Sequence, residues 1–147
     1  LCGATTVAAQ PPSPYGAPIG IDTARKAAAR AIEEARKNNW TMAIAVVDPG
    51  GHLVYFEKMD GTQTGSVNVA IAKAKSSALF KRPTKGFQDT LAAGGAGLRL
   101  LALENAVPVE GGVPLVVDGR LVGAIGVSGG TAEQDGQSAA AGAAALK

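Results

Sequence analysis

Residues 111–135 read Gly-Gly-Val-Pro-Leu-Val-Val-Asp-Gly-Arg-Leu-Val-Gly-Ala-Ile-Gly-Val-Ser-Gly-Gly-Thr-Ala-Glu-Gln-Asp. Two apolar runs, 115–117 and 121–127, flank Asp118-Gly119, the pair that a tight hairpin favours. A glycine loop at 128–130 follows. Thr131 then caps a last helix, and Gln134 completes a capping box. The loop delivers bare backbone N–H groups to a helix head, a setting that attracts anions.

Working back from this segment, 42–47 (Met-Ala-Ile-Ala-Val-Val) is a continuous apolar run. It reads as a strand buried on both faces. The turn Asp48-Pro49-Gly50-Gly51 sends the chain back through a second strand at 52–58. Before this hairpin, Asp22 is read as the N-cap of a helix that carries Ala24, Ala27, Ala28, Ala31, Ile32 and Ala35 as an apolar stripe. Asn38-Asn39 stops that helix. After the hairpin, 66–81 is a helix ended by Pro83. Thr84 is read as the cap of a short helix through Ala92 or Ala93. A further helical turn at 98–103 and a short strand at 107–110 complete the order. Hairpins dominate, and strands apolar on both faces need cover on both sides. The expected architecture is α+β: an antiparallel sheet of about five strands with helices on both faces, in three layers.

The 147 residues suit one domain, here 21–147, preceded by an arm at 1–20. Apolar residues form 46% and charged residues 18%, so a packed core is expected. A net charge of +2 without a basic, aromatic-laced stretch gives no case for nucleic acid. One Cys and one His exclude a zinc site built from Cys and His clusters. No stretch is apolar and long enough for a transmembrane helix. Residues 1–21 carry no charge, and Val7-Ala8-Ala9 before Gln10-Pro11-Pro12 resembles the small-residue end of a signal peptide. The first residues are read as a signal-peptide remnant, with cleavage after Ala9 and an extended arm to follow. A periplasmic or secreted location is then expected.

Gly126-Val127-Ser128-Gly129-Gly130 matches the nucleophile elbow Gly-x-Ser-x-Gly. That triad needs a His after the Ser, and His52 precedes it, so a tight strand-to-helix crossing is the better reading. Lys73, Lys75, Lys81, Arg82 and Lys85 form a basic group able to receive carboxylates, although each taken singly suits a solvated helix surface. Lys73 and Lys75 lie two apart and do not share a helix face. His52 can ligate iron or act as a base, or simply begin an exposed strand. Tyr15, Met42, Tyr55 and Met59 are other conceivable iron ligands. Asp135 falls in the first turn of the last helix, where its charge suits the dipole.

Taken together, Asp48-Pro49-Gly50-Gly51-His52-Leu53, Met59-Asp60-Gly61, Ala72-Lys73-Ala74-Lys75, Arg82-Pro83-Thr84, Gly111-Gly112-Val113-Pro114-Leu115, the run 123–129 and Gln134-Asp135 resemble the GlcG/HbpS-like family. That family also includes the C-terminal domain of PduO-type proteins. The likeness runs from about Ile21 to the end of the chain. It implies an antiparallel sheet flanked by helices and assembly into homo-oligomers. It also implies haem binding in some members, exported ones among them, with haem degradation ascribed to the group. Other members sit near glycolate or corrinoid metabolism. The matching Lys73, Lys75, Thr84, Ser128, Gly129 and Asp135 suggest a shared pocket. The expectation is an exported, oligomeric haem-binding protein. Lys73, Lys75, Arg82 and Lys85 would meet the propionates, with Thr84, Ser128, Gly129, Gly130 and Asp135 nearby and His52 as axial ligand. The rivals are an enzyme or sensor for a small organic acid, held at the loop 128–130, and a structural oligomerisation module.

Overall fold

The structure, a computed structural model, describes residues 12–147. The expected signal-peptide remnant and Cys2 lie outside the described residues. β1 (Ala43–Val47) is buried along its whole length. It pairs antiparallel with β2 (Leu53–Lys58) on one side and with β4 (Arg120–Ser128) on the other. β3 (Gly112–Val117) pairs with β4 and closes the order β2-β1-β4-β3. Alternation along β1 divides the core. Ile44 and Val46 join Met42, Leu115, Ile125 and Val127 on one face, under the alanine stripe of α1 (Ile21–Lys37) and Ala139 of α4 (Ala132–Ala144). Ala43, Ala45, Val47 and Ala124 face the opposite way, onto Ala70, Ala74 and Ala78 of α2 (Ser66–Phe80). The three layers follow from this division.

Among the described residues the sheet has four strands, against the expected five or so. Residues 107–110 form no strand because their amides are engaged elsewhere. Val107 N–H donates to Ser76 Oγ at 3.0 Å and Glu110 N–H to Gln88 Oε1 at 2.8 Å. Pro108 between them has no N–H to offer. The helix starts also shift. α1 begins at Ile21 after Gly20, without a side-chain cap, and Asp22 sits in its first turn. α3 (Thr84–Ala92) starts after Pro83, so Thr84 is inside the helix and not its cap. The last helix has the expected capping box between Thr131 and Gln134. The hairpin turn at Asp118 and Gly119 takes φ of 50° and 72°, the left-handed pair of a type I′ turn. Helical structure near the expected 98–103 is a 3-10 helix, Gly95–Ala102, none of whose residues is buried. Among the described residues, no helix is long and apolar enough to cross a membrane.

The arm is docked where it is described. Leu121 N–H donates to Pro14 O at 2.8 Å, Gly16 N–H to Leu121 O and Ile19 N–H to Val122 O, both at 2.9 Å. It lies along β4 beyond the end of β1. The Tyr15 hydroxyl then reaches α2, donating to Ala78 O at 2.8 Å.

Candidate functional site

All but one of the expected site residues fall in two places. Six of them surround the strand-to-helix crossover. Lys73 is 1% exposed. Its ammonium donates to Asp135 Oδ2 at 2.7 Å and to Val127 O at 3.1 Å. The other carboxylate oxygen, Oδ1, accepts the Gly130 amide at 2.9 Å. Burial pushes the Asp135 carboxyl above its ordinary range, against the pull of Lys73 and of the Gly130 and Gly129 amides. The Thr131 amide is taken by Gln134 Oε1 at 3.0 Å. Ser128 Oγ donates to Ser66 Oγ at 3.1 Å, and Thr84 Oγ1 accepts the Gly112 amide at 2.9 Å. The anion at this helix head is therefore the chain's own Asp135, and the expected guest-facing lysine is an internal counter-ion.

An open cleft of about 680 Å³ lies beside the crossover, lined by Lys85, Gln88, Glu110, Thr131, Ala132 and Glu133. Lys85 is paired with Asp89 at 2.9 Å. Two carboxylates, Glu110 and Glu133, thus set the charge of this cleft, which does not favour an acid.

The second place is the β1–β2 turn. Asp48 Oδ1 accepts the amides of Gly50 at 2.8 Å and His52 at 3.0 Å, an Asx-type turn. The same oxygen lies 3.2 Å from His52 Nδ1. Burial raises the Asp48 carboxyl, but the His52 and Gly50 amides and the imidazole outweigh it and hold it below its ordinary value. An ionised Asp48 is an acceptor only, so this contact suits the tautomer with the proton on Nδ1, which in the neutral ring leaves the Nε2 lone pair available. The His52 side chain is 82% exposed. Gly51, at φ 82°, sits against the Lys75 stem: a Cβ there would meet Lys75 Cγ at 2.9 Å and Leu79 Cδ2 at 3.7 Å. The Lys75 stem and Leu79, both of α2, thus pack against the turn that carries His52, next to Leu53, which is 50% exposed. Arg82 stands apart from the turn; its guanidinium lies 5.4 Å from the Phe87 ring.

The other conceivable iron ligands are engaged. Tyr15 donates to backbone carbonyls, Tyr55 donates to Glu57 Oε1 at 2.9 Å, Met42 is fully buried, and Met59 packs against the core. The sequence gives Asp48 only a turn role, which the structure bears out; its contact with the imidazole goes beyond that, yet it had a signal. An Asp four residues before a His, across Pro-Gly-Gly, is spaced to bring its carboxylate back to the imidazole.

A family model described as "Haem degrading protein HbpS-like" matches residues 19–144. Protein GlcG of Escherichia coli K12 is 45% identical over 96 residues, 65% of this chain and 70% of GlcG. A double mutant of Streptomyces reticuli HbpS superposes with a TM-score of 0.81 at 30% identity, covering 99% of each chain. The PduOC:haem complex does so with a TM-score of 0.78 at 26% identity, covering 88% of this chain and 96% of that one. With the matched region spanning β1 to β4 and α1 to α4, the chain belongs to the HbpS-like family.

Proposed function

We propose that this chain is an exported, oligomeric haem-binding protein, with His52 as the axial ligand of the iron. The observation that carries this reading is an exposed imidazole whose Nδ1 lies against Asp48 and whose Nε2 has no hydrogen-bond partner among the described residues. A metal-bound His ordinarily gives its second ring N–H to a carboxylate or carbonyl, so the residues present fit the group. Leu53 and Leu79 offer apolar contact for a porphyrin, and Lys75 offers a cation for a propionate. Bound haem would supply an iron centre for ligand or redox chemistry, while the chain holds and orients it. The family model's description and the haem complex of PduOC support haem over a small acid. So does the crossover, where an acid would have to displace Asp135. Export rests on the Val7-Ala8-Ala9 pattern.

Titration with hemin at micromolar concentration is expected to give a Soret band that is lost in His52→Ala. An unchanged hemin spectrum with the wild-type chain rejects the reading.

Oligomerisation is supported by the 3-10 helix. Such helices seldom run beyond three or four residues unaided. This one spans Gly95–Ala102 with Leu98 at 55% and Leu101 at 71% exposed, an apolar surface that a second copy would cover. Native mass spectrometry should show a multimer that Leu101→Asp shifts to monomer. A monomeric wild type removes the oligomer from the proposal.

A further inference from the structure

Resting on the haem reading, we infer that Asp48 is a positioning residue that makes the His52 site select ferric over ferrous haem. Ferric haem carries one more positive charge at the iron than ferrous haem. An axial imidazole that donates more strongly therefore favours the ferric state. Here Nδ1 lies 3.2 Å from a carboxylate oxygen. A hydrogen bond from Nδ1 to that carboxylate would strengthen the ring's donation through Nε2. The carboxylate is also fixed in place. The same oxygen accepts the Gly50 and His52 amides, so Asp48 cannot turn away without breaking the turn. The side chain of Asp48 is 24% exposed, so the negative charge is only partly screened by water. Lys75, which reaches the turn from α2, is a nearby cation. Its stem packs on Gly51, which leaves Asp48 as the group bonded to the ring.

Asp48→Asn separates charge from position. An Asn oxygen can accept the same amides and the same Nδ1 proton, so the turn persists while the charge is removed. The test uses the full chain. Affinity for hemin and for dithionite-reduced haem is measured for the wild type and for Asp48→Asn, together with the midpoint potential of each loaded protein. The ¹⁵N chemical shifts of His52 without haem report the tautomer. The expected result is a ferric-to-ferrous affinity ratio about tenfold smaller in Asp48→Asn, which is a midpoint raised by about 59 mV. His52 should be protonated at Nδ1 in the wild type. Equal ratios in the two proteins, with haem still lost in His52→Ala, overturn this inference and leave the haem reading standing. Protonation at Nε2 in the wild type overturns it without haem. Absence of hemin binding by the wild type rejects both.

Discussion

Lys73→Met is expected to lower the unfolding free energy by about 3–5 kcal/mol, the scale for breaking one side of a buried ion pair. For a domain of this length that is a fall in Tm of roughly 6–20 °C, measured by thermal or urea denaturation. The cause lies in α2, which is buried around much of its circumference, including Ser66, Ala70, Lys73, Ala74, Ser76, Ser77 and Ala78. Water does not reach the Lys73 ammonium, so Asp135 and Val127 O solvate it instead. Methionine matches the stem but leaves a carboxylate buried with no cation beside it. Lys73→Met with Asp135→Asn removes both charges while keeping an acceptor for the Gly130 amide. It should therefore be destabilised by less than the sum of the single variants. Additive losses, or a loss below about 1 kcal/mol in Lys73→Met, would show that the pair does not join α2 to α4 in solution.

Gly126→Ala should destabilise by about 1–3 kcal/mol, with the change in the direction opposite to its usual effect in a strand. β4 meets α2 backbone to backbone at this point. A Cβ on Gly126 would fall on Ala70 O and stand 2.5 Å from Ala74 N. Neither is the end of a flexible side chain, so the helix itself must move away from the sheet. The alanines at 70, 74 and 78 serve the same close approach. Gly86→Ala is the contrasting case. Gly86 lies in α3, and a Cβ there would meet no atom within 4 Å. Alanine at this position should raise stability by up to about 1 kcal/mol. Equal effects at the two sites would mean that helix propensity and strand propensity, and not the α2–β4 contact, govern both.

Features set by neighbours in sequence were legible from the chain. The Asp118-Gly119 turn, the Thr131–Gln134 box and the double-sided burial of 43–47 each depend on residues a few positions apart. Features set by distant partners were not. Lys73 looked like a surface or cleft lysine because Asp135 lies 62 positions away and nothing local marks them as a pair. The strand expected at 107–110 failed for the same reason. Its amides are captured by Ser76 and Gln88, 31 and 22 positions distant. The separation of His52 and Lys75 from the crossover residues likewise required the fold. Lys73 and Lys75 point to different places, as their spacing required, but only the packing of α2 decides which one turns inward.

A crystal structure of the hemin-loaded protein, with the iron located by anomalous diffraction, decides where the haem sits. The predicted result is iron bonded to His52 Nε2, with a propionate toward Lys75 and the Lys73–Asp135 pair intact. Iron located in the cleft between Glu110 and Thr131, or held by any other side chain with His52 Nε2 left in solvent, would contradict it.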